Sequence, residues 1–263
     1  MIKHTILTAA ALLSLQGVAH AQNFDAVRLV FAAPGQGGGA YGAAVVASPK
    51  YPGADSGRVA LYPALDYQWA SGWFAGTTNG IGVNFSVNPL QQYGVRATLD
   101  LGRPESRSSA LAGMGDVEIR PEIGVFFNQL WPTGSALTSS LRYGSGNARK
   151  GLVIDLGAGT TWALSPALSL GAGVGATWAN AEHNGAYFSV TAAQAAASGY
   201  APYSAGAGVR DVRAGASLTY RFNPQTSLTG VLGASLLQGD AKSSPLVRDK
   251  TGVSGVLVLA RAF

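Results

Sequence analysis

Apolar residues alternate with small or polar residues in the glycine-rich segments of this chain. Across residues 152–162 every even position except Thr160 is apolar, and after a Ser165-Pro166 turn residues 168–178 resume the alternation. Side chains on a strand point to opposite faces in turn, so each segment has one apolar face and one small, polar face. Such segments recur along most of the chain at the length of a tilted membrane-crossing strand. They favour an outer-membrane β-barrel over a soluble sandwich.

The first residues have the organisation of a secretory signal peptide. A basic start precedes an apolar run from Ile6 to Val18, and Ala19-His20-Ala21 fits a small-x-small cleavage motif. The apolar run is too short to cross a membrane as a helix. We therefore expect a signal peptide over residues 1–21, cleavage after Ala21, a flexible periplasmic lead-in over residues 22–39 and a transmembrane barrel over residues 40–263.

The amino-acid composition argues against several classes of function. Charged residues make up only 12% of the chain, as expected where alternate residues meet lipid. The absence of cysteine excludes disulfides, thiolate metal sites and a lipid-modified cysteine. Basic residues do not cluster beside stacking aromatic residues, so we expect no nucleic acid partner. His183 is the one histidine outside the signal segment, and we interpret it as an exposed loop residue beside Glu182 without a functional role. We therefore expect no enzyme activity, cofactor or metal.

We predict an all-β fold: an antiparallel, up-and-down transmembrane barrel of about twelve strands with short periplasmic turns and longer extracellular loops. The turn over Asn128–Ser135 is the bulkiest on the periplasmic side. The predicted strands lie near Ala40–Ser48, Val59–Trp69, Trp73–Thr78, Gly80–Val87, Tyr93–Leu101, Val117–Val125, Leu137–Tyr143, Leu152–Trp162, Leu168–Trp178, Val212–Phe222, Ser227–Leu237 and Gly252–Phe263. Aromatic residues collect at the short-turn side, as at a membrane–water boundary.

The alternation sends many charged side chains into the lumen. Opposite charges on neighbouring strands can pair there, so the set forms either a static salt-bridge network that fills a narrow barrel or the lining of a solute path. The mixed signs favour the network. A carboxylate next to an arginine stays ionised, so these residues favour a structural role over acid catalysis. The predicted lumen residues are Asp66, Arg96, Asp100, Glu118, Arg120, Glu122, Arg142, Asp155, Asp211, Arg213 and Arg221.

Three loops carry a family resemblance. The segments Ser48–Asp55, Ala186–Asp211 and Leu236–Val247 resemble loops of the MipA/OmpV proteins, the MltA-interacting family, and the resemblance covers nearly the whole mature chain. Ser189, where that family usually has glycine, is a departure. The motif residues are Tyr51, Pro52, Gly53, Tyr187, Phe188, Gly206, Gly208, Asp211, Gly239, Asp240, Ser244 and Pro245.

The resemblance implies an outer-membrane protein that acts as a scaffold between a lytic transglycosylase and a bifunctional penicillin-binding protein. The final Phe263 resembles the terminal aromatic residue of other outer-membrane barrels, which implies recognition by the barrel-assembly machinery; Arg261 departs from their usual apolar residue. Outer-membrane lipid is the remaining expected partner.

Two alternatives to the scaffold stay open: a small channel for solute uptake, and a surface adhesin that acts through the loops. The loops over Ser48–Asp55, Ala186–Asp211 and Gly239–Val247 either present exposed aromatic residues to a partner or fold inward and cap the barrel. Within them, the alanine-rich residues Thr191–Ser198 predict a short helix capped by Ser189 or Thr191.

Overall fold

A computed structural model describes residues 32–263, which form a closed, antiparallel, up-and-down barrel of twelve strands. The predicted fold class is confirmed. The strands are β1 (Gly38–Pro49), β2 (Gly57–Gln68), β3 (Trp73–Gly76), β4 (Gly80–Asn84), β5 (Gln91–Asp100), β6 (Arg120–Leu130), β7 (Ser135–Ser145), β8 (Gly151–Ala163), β9 (Leu168–Ala179), β10 (Gly208–Arg221), β11 (Thr226–Leu237) and β12 (Thr251–Ala262). The proposed signal peptide and most of the proposed lead-in lie outside the described residues.

Two helices, α1 (Ala181–Phe188) and α2 (Ala192–Ser198), lie between β9 and β10. Thr191 caps α2 through a complete capping box with Gln194, which satisfies backbone donors at both positions. The predicted short helix is therefore present, with Thr191 rather than Ser189 as its cap. Among the described residues, neither helix is long and apolar enough to cross a membrane.

The barrel reverses the usual distribution of polarity in a protein. Large apolar side chains point outward, and Leu61 and Ile123 are 72% and 69% exposed. Charged and hydroxyl side chains point inward and are buried, with Asp155 and Thr229 both at 0% exposure. A soluble protein rarely leaves such an extensive apolar surface in water. The exterior therefore matches lipid, as the alternation predicted.

Most strand predictions differ from the structure by a few residues, but two departures have consequences. β6 begins at Arg120, because Val117 instead pairs with Arg103 in an isolated bridge within a loop. β10 begins at Gly208, and a register shift between Val209 and Asp211 interrupts its alternation. The predicted bulky turn at Asn128–Ser135 is also wrong, because the neighbouring strands leave only residues 131–134 between them.

The barrel closes where β12 pairs with β1. Phe263 and Gly39 exchange two backbone hydrogen bonds, of 3.0 and 3.3 Å, at the end of this pairing. The Phe263 ring stacks on Tyr67 at 5.7 Å between centroids and contacts Tyr41 at 5.9 Å. The terminal aromatic residue thus stabilises the pairing of the first and last strands.

The interior has an apolar wall that the alternation did not predict. Strands β1, β2, β11 and β12 turn apolar side chains inward as well as outward, and these pack into one buried cluster of Ala44, Val46, Ala64, Val231, Val256, Val258 and Ala260. On the opposite wall the rings of Phe74 and Phe126 cover the neighbouring-strand glycines Gly82 and Gly94 and contact each other at 5.9 Å. Apolar packing therefore fills much of the lumen.

Gly94 has no room for a side chain. A Cβ added there would collide with the Val83 carbonyl oxygen and with the Phe126 ring. We expect Gly94→Val to destabilise the barrel by about 3 kcal/mol, a typical cost of overpacking. Urea unfolding of the detergent-folded protein, followed by tryptophan fluorescence, measures this change.

Gly230→Val is the matched control, because nothing lies within 4 Å of a Cβ added at Gly230. This variant should unfold at nearly the native urea concentration. Equal losses in the two variants would contradict the packing explanation.

Candidate functional site

The half of the lumen nearer the long loops holds a chain of charges with alternating sign, here called the lumen network. Arg142 bridges Glu122 at 2.8 Å and Asp155 at 2.9 Å. Asp155 also accepts from Arg213 at 3.0 Å, and Arg213 reaches Asp211 at 2.9 Å. Asp211 in turn accepts from Arg210 Nε at 2.7 Å. The order Glu122, Arg142, Asp155, Arg213, Asp211, Arg210 therefore runs across β6, β7, β8 and β10.

All members of the lumen network are buried, so each charge depends on its neighbours. Asp155 accepts from three side chains, since Thr177 Oγ1 donates to it at 2.7 Å in addition to the two arginines. Burial of an ion without partners costs several kcal/mol, and removing one member of a buried pair is strongly destabilising. The geometry is that of a structural network, and it does not separate the two signs along a path.

Other predicted lumen residues occupy different environments. Asp66 and Arg96 are buried, and Asp66 accepts from the Thr78 hydroxyl at 2.5 Å. Asp100 is buried and accepts from the backbone of Gly146 at 3.1 Å and from the Tyr187 hydroxyl. Arg221 is half-buried at the short-turn end of β10.

The prediction for Glu118 is wrong. Its side chain is 58% exposed and pairs with Arg120, which is half-buried at the start of β6. The predicted strand ran through Glu118, but Gly113, Gly115 and the Arg103–Val117 bridge keep this stretch of chain in the loop above the barrel. The alternation of residues 117–125 therefore spans a strand boundary.

The long loops fold together over one mouth of the barrel and form a layer here called the cap, made of residues 50–56, 101–119, 180–207 and 238–250. Tyr51 packs with Leu111, and Phe188 lies at 1% exposure in a cluster with Val117. The loops therefore fold inward. Tyr51, Tyr187 and Phe188 are not exposed anchors for a partner.

The family-motif residues form the internal contacts of the cap. The Tyr51 hydroxyl donates to Leu246 O at 3.0 Å, and the Ser244 hydroxyl donates to Phe188 O at 2.6 Å. Gly206 N donates to the Asp240 carboxylate at 2.8 Å. Gly53 has a φ of +96° and accepts two backbone hydrogen bonds from the last loop. Pro52 and Pro245 are half-buried beside these contacts, Gly208 opens β10, and Gly239 has a φ of +51°.

The interpretation of His183 as an exposed loop residue is wrong, because α1 places it in the barrel mouth, where it is 5% exposed. Its Nε2 lies 3.0 Å from Arg210 Nη1, and its Nδ1 lies 2.8 Å from Ser145 Oγ. Arginine can only donate, so Nε2 accepts and the ring proton resides on Nδ1, facing Ser145. His183 therefore connects the cap to the lumen network.

Sequence reasoning missed Arg210, because the predicted loop extended to that residue. The register shift beside it places both Arg210 and Asp211 in the interior. Strict alternation would send one of two adjacent residues outward. A bulge of this kind leaves no clear mark in the sequence.

Burial and the positive charge of Arg210 lower the pKa of His183 well below its usual value. Below about pH 6.5 the unfolded cap binds a proton that the folded cap excludes, so the contribution of His183 to stability is complete above this pH and falls as the pH decreases further. We expect hydrogen exchange in residues 180–207, corrected for its intrinsic rate, to show less protection at about pH 5 than at neutral pH.

His183→Gln is the control, since glutamine does not titrate in this range. Its cap should keep the same protection at both pH values. Equal loss of protection in the native protein and the variant would show that another group controls the cap.

Removal of the central carboxylate charge tests the lumen network. Asp155→Asn leaves Arg142 and Arg213 without their shared counter-ion, and we expect a loss of about 3–5 kcal/mol in the free energy of unfolding. Asp249→Asn, an exposed change in the last loop, should have little effect. Urea unfolding in detergent measures both variants, and similar midpoints would contradict a structural role for the lumen network.

In the described part of the chain, no group of three or more histidine, cysteine, aspartate or glutamate side chains converges. These residues therefore offer no ligand set for a metal ion. The buried Glu122, Asp155 and Asp211 pair with guanidinium groups instead.

Similarity to known proteins is of two kinds, a sequence match to one family and a distant likeness to several solved structures. The family model described as MltA-interacting protein MipA matches residues 41–263. No curated protein matches the sequence significantly. The KdgM porin has a TM-score of 0.45 and 9% identity, over 86% of this chain and 99% of that chain. The NanC porin has a TM-score of 0.45 and 9% identity, over 83% and 98%.

The outer membrane channel DcaP of Acinetobacter baumannii has a TM-score of 0.39 and 9% identity, over 87% of this chain and 96% of that chain. We draw nothing about function from structural likeness at this level. The family match, the closed barrel and the apolar exterior together identify an outer-membrane β-barrel.

Proposed function

Because this chain belongs to the MltA-interacting protein MipA family, we propose that it is a non-enzymatic outer-membrane scaffold for murein-remodelling enzymes. The partners would be a lytic transglycosylase of the MltA type and a bifunctional penicillin-binding protein. The observation that carries this proposal is the filled lumen, which favours a function performed by the surfaces of the barrel.

Inward-facing side chains are buried over the whole height of the barrel. Gln68 and Thr138, near the short-turn end, are 1% and 2% exposed, and Asp155, towards the cap, is fully buried. The cap covers the mouth above them. A static pore would leave such side chains in contact with water. The structure therefore supports binding more than conduction.

The short-turn end is the surface that would meet a periplasmic enzyme. Its connections carry no charged residue, and four of them contain proline, which gives short and rigid turns. They are residues 69–72, 85–90, 131–134, 164–167 and 222–225. A partner would bind this end through polar and apolar contacts, so the affinity should depend little on salt.

A binding assay tests the scaffold. We expect the folded barrel, held in nanodiscs, to bind a purified lytic transglycosylase from the same bacterium, with little change in affinity between low and physiological salt. Thr133→Glu places a charge at an exposed turn and should weaken binding about tenfold, because the new charge loses water in the contact. Biolayer interferometry measures both effects.

Lys150→Glu is the matched control, an exposed charge change at the opposite end of the barrel. It should leave the affinity unchanged. Absence of binding, or equal weakening by both variants, would contradict the proposed scaffold and its site.

A solute path is the second candidate, favoured by the charged residues of the lumen. Conduction would require the cap to move and the bonds between His183, Arg210 and Ser145 to break. Planar-bilayer recordings that show conductance, altered by Arg96→Ala, would support this function over the scaffold. The adhesin alternative has less support, because the loop residues Tyr51, Tyr187 and Phe188 are buried, while Tyr200 and Tyr203 are half-buried.

A further inference from the structure

Arg58 lies at the cap end of the barrel with part of its guanidinium group unsatisfied. It belongs to the inward-facing row of β2, and its Nη2 donates to the Tyr62 hydroxyl, two positions along the same row, at 3.1 Å. Its Nε is buried and has no hydrogen-bond partner. No carboxylate forms a salt bridge with Arg58 among residues 32–263. The group therefore keeps a donor for an acceptor that the chain does not supply.

Arg107 lies close to Arg58. It ends a 3-10 turn at Glu105–Arg107, and the next turn places Leu111 against Tyr51 and Ala54 in the connection between β1 and β2. This packing holds the segment over the start of β2. Burial lowers the pKa of Arg107, and the neighbouring charge of Arg58 lowers it further. The two arginines therefore repel each other, and Arg107 is half-buried.

Arg103 extends this positive cluster. It is 2% exposed, its Nη1 donates to Tyr187 O at 2.8 Å, and its Nε is also buried without a partner. Burial lowers the pKa of Arg103, and Arg107 is one of the groups that lower it further. Arg107 is thus coupled electrostatically to both Arg58 and Arg103, and the three arginines form one positive cluster at the cap end of the barrel.

The acids nearest in sequence are occupied elsewhere. The Glu105 carboxylate accepts from Gly113 N at 2.7 Å and Gly115 N at 2.8 Å. Asp116 accepts from Glu105 N at 2.6 Å. In the part of the chain that the structure describes, none of the three arginines forms a salt bridge, whereas every arginine of the lumen network does. Like charges left together in a half-buried place are costly unless an anion joins them.

We propose that Arg58, Arg103 and Arg107 form a binding site for a phosphate group at the cap end of the barrel. A phosphate carries a charge of about −1.5 to −2 at neutral pH, which offsets more of the three positive charges than a single carboxylate does. Guanidinium groups bind phosphate in bidentate fashion, and the free Nε donors suit that geometry. Tyr62, held by Arg58, lies beside the site and orients that side chain.

The phosphate group could belong to a soluble ester or to a lipid headgroup. Arg58 belongs to the inward-facing row of β2, and Arg107 is half-buried in a loop of the cap, so the site lies away from the lipid-facing row of the barrel. This position favours the soluble source. The site is independent of the proposed scaffold contact, which lies at the opposite end of the barrel.

Phosphate titration tests the proposal. The full chain, folded in detergent at low ionic strength, is titrated with inorganic phosphate and followed by isothermal titration calorimetry. We expect saturable binding that Arg107→Gln weakens about tenfold, as for loss of a charge-assisted hydrogen bond. Arg107→Lys, which keeps the charge and loses the planar fork, should give an intermediate affinity. Arg149→Gln, at an exposed loop arginine, should bind like the native protein.

A second arm identifies the source of the phosphate. The same proteins in phosphatidylcholine vesicles, with and without lipid A, are compared by hydrogen exchange over residues 103–107. Protection that requires lipid A and Arg107, without binding of inorganic phosphate, would support the site and assign it to a lipid. If neither probe binds, or if Arg107→Gln and Arg149→Gln weaken binding equally, the proposal is overturned. A urea midpoint near the native value shows that each variant is folded.

Discussion

Within a bilayer no water reaches the strand edges, so each backbone donor and acceptor at that depth must find a partner on a neighbouring strand. This chain meets the requirement by pairing β12 with β1, where Phe263 and Gly39 exchange hydrogen bonds at the seam. Closure separates two environments, since alternate residues then face either lipid or an enclosed lumen. The apolar exterior, the paired charges inside and the short turns all follow from this one constraint.

The lumen created by closure is filled by two kinds of packing. Strands β1, β2, β11 and β12 supply an apolar wall, and the opposite wall supplies the lumen network, in which Asp155 joins Arg142 to Arg213. The cap extends this interior rather than covering it loosely. His183 bonds Arg210, and the Tyr187 hydroxyl bonds Asp100, so one helix of the cap is attached to the charged wall at two points.

The sequence predicted the barrel well, because a period of two and a signal-like start are properties of local residue order. Strand order, inward charge and the terminal aromatic residue followed from it. Glu118 and His183 were misplaced, since residues 101–119 stay in a loop up to the start of β6, and the connection after β9 begins with a helix that enters the barrel mouth. Arg210 was missed because a bulge breaks the alternation. The contacts of Tyr51 with Leu246 and of Ser244 with Phe188 join loops far apart in sequence, which no local pattern encodes.

The two ends of the barrel differ in their chemistry, and this difference limits what each end can bind. The short-turn end has uncharged, proline-containing connections, which suit contacts that depend little on salt. The cap end holds most of the charged loop residues, and there Arg58, Arg103 and Arg107 form no salt bridge within the described chain. A filled lumen separates the two ends of the barrel. A ligand bound at one end can therefore affect the other end only through a change in the structure between them. The contacts of His183 and Asp100 attach α1 to the barrel wall. Movement of the cap would therefore change that wall, and it is the structural change that could couple the two ends.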